Sequence, residues 1–391
     1  MYSRKQNVTD ALIAHIKEYY GEEKVPLHRP IFEGNERQYL MDCIDSNFVS
    51  SVGARVNEFE QHCVRFTGAR HAVAATNGTA ALHMAMILSG VEQGDEVLTQ
   101  SLTFVATCNA ISYIGANPVF IDVDRDTMGL SPIALAKWLE NHTELRDGRA
   151  FNRTTGARVT ACVPMHTFGL PLRIAEVAEI CCAYGISLIE DAAESLGSYV
   201  GDQHTGTFGA LGTLSFNGNK VITTGGGGMI LADKEVLAKR GLYLTTTAKV
   251  PHPYEFVHDE IGYNYRLPNL NAALGCAQME KLPQMLEIKA ELAGLYRDFF
   301  SRNGGKFVDG IEGTSPNHWL NAIILEDLEA REAFLQHTNA NGVMTRPIWR
   351  LMDTLPMFQN CQSDDLKNAK WLEERVVNLP SSVPVGKIGE L

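Results

Sequence analysis

The stretch HAVAATNGTAALHMAMILSGVEQGDEVLTQ, residues 71–100, decides the fold. It begins with a short apolar run (71–76), continues with a longer apolar segment that ends at a glycine (78–90), and returns to an apolar run at 95–100. Short apolar runs are typical of buried strands, and a longer segment that ends at glycine is typical of a helix. The stretch therefore predicts a strand, a helix and a second strand.

The same cycle repeats further along the chain. The later segments are TFVATCNAISYIG (103–115), PVFIDVD (118–124), VTACVPMHTFG (159–169), IAEVAEICCAYG (174–185) and SLIEDAAES (187–195). Alternating strands and helices with short joints require crossover connections and a largely parallel sheet that is buried on both faces. We therefore predict an α/β fold with a mainly parallel central sheet and helices on both faces.

The pattern changes towards both ends of the chain. Helices are predicted at 10–20 and 35–47, a polar surface loop at 150–158, and a long helix followed by short strands and helices from about 276. We predict an N-terminal helical extension (1–30), a large α/β domain (31–275) and a smaller C-terminal α+β domain (276–391).

Composition narrows the class of protein. The 391 residues are 45% hydrophobic, enough for a sizeable core, and carry a formal net charge of -12, which argues against a general nucleic-acid binder. No apolar run of membrane-spanning length and no secretory leader is recognised, so we expect a cytoplasmic protein with no membrane partner. The eight cysteines form no C-x-x-C pair and the twelve histidines no H-E-x-x-H motif, so we predict no bound metal.

Two nucleotide-binding motifs are also excluded. A P-loop needs a glycine about five positions before its lysine and Ser or Thr after it, but Lys220 has Ser215 before it and Val221 after it. A dinucleotide site needs G-x-G-x-x-G after its first strand, where this chain has Asn-Gly-Thr-Ala-Ala (77–81).

Ligands of open α/β sheets collect at the carboxyl ends of the strands, where this chain places several polar residues. The turn Asn77-Gly78-Thr79 is either an anion site at a helix N-terminus or an ordinary capped helix start. Asp191 ends a strand, and its carboxylate meets either a cationic ligand or a partner within the protein.

The other two features are an aromatic residue and a lysine. Phe104 follows a strand and either stacks on a planar ligand or belongs to the core. Lys220, which follows Ser215, is either a solvated charge or a nucleophile suited to Schiff-base chemistry. A phosphate site, a stacking ring, a carboxylate for a ring nitrogen and an amine for an aldehyde together specify pyridoxal phosphate.

The chain resembles the DegT/DnrJ/StrS family of pyridoxal-phosphate sugar aminotransferases from about residue 25 to near its C-terminus. The resemblance is carried by NGTAALHMA (77–85), SLTFVATCNAISYIGANPVFIDVD (101–124), EDAAESLGS (190–198), SFNGNKVITTGGGGMI (215–230) and GYNYRLPNLNAALG (262–275). It implies fold type I, the aspartate-aminotransferase-like architecture, in a homodimer with shared active sites.

The resemblance also implies the roles of the site residues. Lys220 forms the internal aldimine with the cofactor, Asp191 pairs with its ring nitrogen, and Phe104 stacks on its ring. The phosphate is held by Gly78, Thr79 and Ser215, with Asn264 of the partner subunit. The position of Glu194 is often a glutamine that contacts the ring oxygen, and many members have Gly-Glu-Gly-Gly where this chain has four glycines (225–228).

Further motifs (NFVSSVGARVNEFE, TTTAKVPHPYEFVHDEIGYNYRLPNLNAALG, MTRPIWRLM and VVNLPSSVP) are similar to the LegC-like subgroup. The subgroup implies transfer of an amino group from L-glutamate, through pyridoxamine phosphate, to the 4-keto position of a UDP- or GDP-linked 4-keto-6-deoxy sugar, on routes to legionaminic acid and related bacterial glycans. Candidates for lining the sugar site are His166, His318, Arg346 and Trp349.

Two alternatives stay within the same fold. One is a pyridoxal-phosphate sugar dehydratase, but the relatives with that activity have histidine in place of the lysine. The other is a catalytically silent binding or regulatory protein, against which the joint presence of Lys220, Asp191 and the phosphate turn speaks.

Overall fold

A computed structural model describes residues 2–388, with side chains from residue 8 onward. The helices in this range are α1 (Tyr2–Tyr20), α2 (Glu36–Asp45), α3 (Ala54–Thr67), α4 (Gly78–Leu88), α5 (Val105–Tyr113), α6 (Pro132–His142), α7 (Ile174–Ala183), α8 (Glu235–Thr245), α9 (Asn269–Asn303), α10 (Leu328–Ala340) and α11 (Lys367–Glu373). Short 3₁₀ turns lie at Thr167–Gly169 and Met352–Thr354.

The strands of the same range are β1 (His71–Ala75), β2 (Glu96–Gln100), β3 (Asn117–Ile121), β4 (Thr143–Arg146), β5 (Arg149–Asn152), β6 (Val159–Val163), β7 (Ser187–Asp191), β8 (Tyr199–Val200), β9 (Gln203–His204), β10 (Leu211–Ser215), β11 (Gly228–Ala232), β12 (Lys249–Val250), β13 (Val257–His258), β14 (Lys306–Val308), β15 (Thr314–Ser315), β16 (Asn321–Ile324), β17 (Arg346–Pro347) and β18 (Val376–Leu379).

Seven strands form the central sheet, in the order β1-β11-β10-β7-β6-β2-β3. The pairs β10–β7, β7–β6, β6–β2 and β2–β3 are parallel, whereas β11 runs antiparallel to both of its neighbours. The predicted mainly parallel sheet is therefore confirmed.

Helices cover both faces of this sheet, as the alternation of β1 side chains shows. Val73 and Ala75 pack into a core with α4 and α5, while Ala74 packs on the other face with Phe59 of α3 and Cys276 of α9. Because successive strand residues point to opposite faces and both faces are covered, β1 is apolar from Ala72 to Ala75. The central sheet is thus buried on both faces, and the side chains at the ends of its strands are held by a rigid framework.

A second, antiparallel sheet (β14-β16-β18-β17) lies towards the C-terminus and packs with α9 and α10. Helix α1 joins the same core, where Leu12 and Ile16 pack with Tyr296 and Phe334. The N-terminal helix therefore packs on C-terminal elements. Helix α9 runs through residue 275, so the domain boundary proposed from the sequence falls inside a helix, and the division into domains stays a proposal.

The structure of residues 149–152 differs from the sequence prediction. The segment 150–158 was predicted as a loop, but β5 occupies its beginning and pairs antiparallel with β4 in a hairpin. The hairpin interior includes the buried Ala150 and Asn152, and Asn152 Nδ2 donates to the Glu96 carboxylate over 2.7 Å. Pairing and burial thus outweigh the polar composition of this segment. Within residues 2–388, no helix has both the length and the apolar character needed to span a membrane.

Candidate active site

The residues predicted for the cofactor meet at the carboxyl ends of neighbouring strands. Asp191 is the last residue of β7, Ser215 is the last residue of β10, and Gly78 begins α4 shortly after β1. Lys220 lies on the connection between β10 and β11. This edge is where ligands of parallel sheets bind.

The start of α4 is the candidate phosphate site. The side chain of Asn77 caps the helix by accepting from Ala80 N over 2.8 Å, and the first intrahelical bond runs from Ala81 N to Asn77 O. The N–H groups of Gly78 and Thr79 therefore remain for an anion. A Cβ on Gly78 would lie 2.9 Å from the Cβ of Ser215, so the Ser215 side chain sits directly against this helix start.

The four glycines at 225–228 serve different purposes. Gly225 adopts a φ of +78°, which favours glycine. A Cβ on Gly227 would lie 2.2 Å from Thr224 Oγ1, and one on Gly228 would lie 2.3 Å from Asn77 O, so both positions exclude a side chain. At Gly226 the nearest atom would be Thr76 O at 3.8 Å. Gly226, the position where many family members have glutamate, is thus the one glycine of the run whose position is open to a side chain.

Asp191 is a buried carboxylate at the end of a central strand. Its Oδ2 accepts a hydrogen bond of 2.7 Å from Thr107 Oγ1, and its Oδ1 accepts one of 3.2 Å from Ala193 N. Burial raises the pKa of the Asp191 carboxyl, while these hydrogen bonds and the charge of Lys220 oppose the rise. A cationic ring nitrogen at this point would offset the cost of burying the charge.

Lys220 is enclosed by a carboxylate and an indole. Its Nζ lies 3.2 Å from Glu194 Oε1 and 4.1 Å from the centre of the Trp319 ring. Glu194 Oε2 accepts from Phe168 N over 2.9 Å. Burial raises the pKa of the Glu194 carboxyl, and the charge of Lys220 acts against this. Glu194 therefore has the partner that a buried carboxylate requires.

Glu190, which directly precedes Asp191 on β7, has a structural role. It is fully buried and accepts from the N–H groups of Gly206, Phe208 and Gly209 at 2.7, 2.6 and 2.9 Å, and its Oε2 lies 3.1 Å from His166 Nε2. His166 Nδ1 in turn accepts from Leu172 N over 3.3 Å. Both ring nitrogens of His166 are thus engaged inside the protein, rather than lining an open sugar site.

The aromatic candidates lie together. Phe104 immediately precedes α5, is 48% exposed, and has its ring 6.2 Å from that of Trp349. The centre of the Phe168 ring lies 4.9 Å from that of Trp349 and 6.4 Å from that of Trp319. Phe104 is therefore available to a planar ligand, and Trp349 lies beside it.

The remaining candidates are His318, Arg346 and Asn264. His318 is buried with a φ of 50°, and burial lowers the pKa of its imidazole to about 4. Arg346 is exposed on β17, where it donates to Asn339 and to the carbonyl of Thr345. Asn264 is exposed beside Thr246 in an isolated bridge. A role for any of them in binding stays a prediction.

Sequence reasoning did not find Trp319, Phe168 or Thr107. Trp319 stands in an apolar strand-like segment, and its contacts with the Lys220 loop reach across 100 positions of the chain. No local pattern distinguishes such a residue from a core aromatic.

Outside the site, the side-chain atoms of Glu58, His62 and Cys276 that could bind a metal ion lie within 4.8 Å of one another. The Glu58 carboxylate already accepts from the guanidinium of Arg55 over 2.9 and 3.1 Å. We interpret Glu58 as the partner of Arg55 in an ion pair, and the absence of a bound metal stays a prediction.

A model of the DegT/DnrJ/EryC1/StrS aminotransferase family matches residues 30–387. The chain belongs to this family. It is 36% identical over 337 residues to EpsN of Bacillus subtilis (strain 168), whose name describes a pyridoxal phosphate-dependent aminotransferase, covering 86% of this chain and 84% of EpsN. It is 33% identical over 360 residues to the GDP-perosamine synthase of Vibrio cholerae, covering 91% and 94% of the two chains.

A solved structure of the aminotransferase TlmJ from Streptoalloteichus hindustanus has the same fold, with a TM-score of 0.83 and 25% identity over 92% of this chain and 93% of that one. The protein is therefore an aminotransferase with the predicted fold, and pyridoxal phosphate is its cofactor. The site fits this group, because the helix start against Ser215 suits its phosphate and the buried Asp191 suits its ring nitrogen.

Proposed function

We propose that this aminotransferase moves an amino group from L-glutamate to the 4-keto position of a nucleotide-linked 4-keto-6-deoxy sugar. The observation that carries amino transfer is the position of Lys220, whose amine lies against Glu194 at the strand edge that also holds Asp191. A lysine held among buried groups is suited to nucleophilic and acid–base work.

Each residue has a part in this chemistry. When bound, the cofactor carries the amino group between the two substrates and withdraws electrons from the reacting carbon. Asp191 stabilises a protonated ring nitrogen, and Gly78, Thr79 and Ser215 bind the phosphate. Lys220 Nζ takes a proton from the amino-acid carbon and later returns one, as a general base and acid.

The reaction is balanced between its two halves. The α-carbon of glutamate loses its amino group and is oxidised to the ketone of 2-oxoglutarate, with one water consumed. The ketone carbon of the sugar is reduced by two electrons as it gains the amino group, and one water is released. No other oxidant or reductant is needed, and the site alternates between the two substrates in a ping-pong sequence.

The names of relatives support the sugar substrate. GDP-perosamine synthases of Vibrio cholerae and other bacteria match over most of the chain. The LegC-like motifs favour a bacterial amino sugar on a route to legionaminic acid or a related glycan. The nucleotide is UDP or GDP, and the protein works in the cytoplasm, where such activated sugars are made.

Exposed apolar side chains support a homodimer. Tyr254, Phe256 and Ile261, on the segment that precedes Asn264, are 81%, 80% and 85% exposed. A cluster of large apolar side chains in water is typical of an association surface. In such a dimer, this segment would carry Asn264 to the phosphate site of the other subunit.

The test is turnover by the purified protein with L-glutamate and a panel of UDP- and GDP-linked 4-keto-6-deoxy sugars. We expect oxoglutarate to form, and one nucleotide sugar to be aminated. Lys220→Ala is expected to abolish turnover, so normal cycling by this variant would contradict the assignment of the lysine. If glutamate reacts and every keto sugar fails, the sugar assignment is wrong and amino transfer stands.

A further inference from the structure

Trp319 is held against the Lys220 loop by its own polar groups. Its indole Nε1 donates to Asn219 O over 2.6 Å, so it fixes the carbonyl of the residue directly before Lys220. Its backbone N donates to Asn317 Oδ1 over 2.9 Å. The ring itself is buried, with 4% of the residue exposed, and faces the lysine amine. One side chain therefore positions both the backbone and the amine of this loop.

A buried lysine fixes Trp319 from the other side. Lys289 of α9 is fully buried, and its Nζ donates to Trp319 O over 3.2 Å and to Ser381 O. His28 Nε2 completes its surroundings at 3.2 Å. Burial lowers the pKa of Lys289 to about 7. The backbone carbonyl of Trp319 is thus bonded to helix α9, which is separate from the loop that carries Lys220.

The turn that carries Trp319 also holds the other neighbour of Lys220. Asn317 Nδ2 donates to the carbonyls of Glu194 and Leu196, each over 2.9 Å. His318, between the two, adopts a left-handed φ of 50°. The turn 317–319 therefore bonds to the backbone of Glu194 and carries Trp319, the two residues whose side chains contact the lysine amine.

This arrangement limits the contact of the amine with water. Glu194 is almost completely buried, and the Lys220 side chain is 12% exposed. An aromatic face attracts an ammonium group, and it offers no group that exchanges protons. A lysine that carries a proton between two carbon atoms loses it to solvent when water reaches the nitrogen first.

We propose that Trp319 is a positioning residue for Lys220, which shields the amine so that it keeps the proton taken from the amino-acid carbon until that proton is returned. This inference rests on the amino-transfer function proposed above. It concerns a residue of this chain that contacts the lysine, and it holds for any sugar acceptor.

Two variants of Trp319 separate the part played by the ring from that of its N–H group, and a third variant is a control. Trp319→Leu removes both, whereas Trp319→Phe keeps an aromatic face and loses the bond to Asn219. Trp371→Leu is the matched control, because the Trp371 ring also lies near cations, at 4.4 Å from Arg125 and 4.9 Å from Arg375, but belongs to α11. Circular dichroism and thermal unfolding report whether each variant is folded.

The loaded proteins are incubated with L-glutamate in D₂O, and NMR follows loss of the α-hydrogen signal from remaining glutamate alongside formation of oxoglutarate. In Trp319→Leu, we expect the ratio of exchange to oxoglutarate formation to rise about fivefold, the range of a lost cation–π contact. Trp319→Phe should lie within about twofold of wild type, and Trp371→Leu should match wild type. An unchanged ratio in folded Trp319→Leu overturns the inference.

Cofactor uptake gives a readout that does not depend on turnover. Cofactor-free protein is mixed with pyridoxal phosphate, and binding is followed by absorbance. We expect Trp319→Leu to take up the cofactor about fivefold more slowly, because the amine is no longer held in place, and Trp319→Phe to be intermediate. If Trp319→Leu is unfolded, the Phe variant decides: uptake at the wild-type rate overturns the inference. A wild-type protein that leaves glutamate unchanged contradicts the proposed function instead.

Discussion

The carboxylate of Asp191 accepts a hydrogen bond of 2.7 Å from the hydroxyl of Thr107, although the two residues are 84 positions apart in the chain. Thr107 lies on α5 and Asp191 at the end of β7, so the bond joins a helix to the strand beneath it. Because burial raises the pKa of Asp191 and this bond lowers it, Thr107 favours the charged form that a ring nitrogen requires.

Replacing Thr107 with valine should therefore weaken cofactor binding. The valine keeps the shape of the side chain and removes the donor, which raises the pKa of Asp191 further. We expect about a tenfold loss of affinity for pyridoxal phosphate, the order expected for a hydrogen bond to a charged group. Equilibrium titration by absorbance measures it. Thr99→Val, which removes a buried hydroxyl bonded to the Val163 carbonyl instead, should leave the affinity unchanged.

Two glycine variants test the phosphate site. In Gly78→Ala, the new Cβ would lie 2.9 Å from Ser215 Cβ, so the helix start or the serine must move. We expect at least about a tenfold loss of pyridoxal phosphate affinity, since phosphate contacts need this geometry. In Gly226→Ala, the nearest atom is 3.8 Å away, and affinity should stay near wild type. Equal losses of affinity in the two variants would show that the phosphate does not bind at this helix start.

Glu194→Gln tests whether a charge is required beside Lys220. The amide oxygen can take the place of Oε2 and accept from Phe168 N, whereas the amide NH₂ group takes the place of Oε1 beside the lysine, so we expect the cofactor-free protein to lose about 1 kcal/mol of unfolding free energy. Glu194→Leu leaves the buried Phe168 N–H without an acceptor and should cost about 2 kcal/mol. Denaturant unfolding measures both, and a leucine variant as stable as the glutamine variant would contradict this account.

His318 should make stability dependent on pH. Burial lowers the pKa of His318 from 6.5 to about 4, with the charges of Lys289 and Arg297 acting in the same direction and Asp309 opposing. A depressed pKa means that the stabilising contribution is present above pH 6.5 and is lost as the pH falls towards 4. Between pH 7 and pH 5, His318 accounts for roughly 2 kcal/mol of lost unfolding free energy.

His318→Asn removes the titrating group and suits the left-handed φ of 50°. Its unfolding free energy should therefore fall less than that of wild type between pH 7 and pH 5, as measured by denaturant titration. Part of the wild-type loss should remain, because burial also lowers the pKa of His204, to about 4. Identical pH profiles for the two proteins would contradict the assignment.

The pattern of apolar runs predicted the site residues that lie at the end of a strand or at the start of a helix. Gly78, Asp191 and Ser215 each close or follow an apolar run, so the alternation of elements placed them at one edge of the sheet. The same reasoning gave the mainly parallel sheet, because short joints leave few other topologies.

The groups that surround Lys220 could not be predicted in this way. Trp319 and Glu194 meet the lysine only after distant segments pack together, and Lys289 reads as a surface charge on a helix until α9 is placed in the core. The hairpin at 143–152 was missed because its polar residues are paired inside the fold, as Asn152 is with Glu96. Pairing partners are a property of tertiary packing.

The neighbouring carboxylates Glu190 and Asp191 occupy successive positions of β7 and therefore face opposite sides of the sheet. Successive residues of a strand face opposite sides, so one carboxylate holds the loop at 206–209 and the other faces the helix that carries Thr107. A slip of β7 by one residue would put either Ala192 in the place of Asp191 or Ile189 in the place of Glu190, so one of the two positions would lose its carboxylate. The register of a single strand therefore decides which of the two carboxylates lies at the proposed cofactor site.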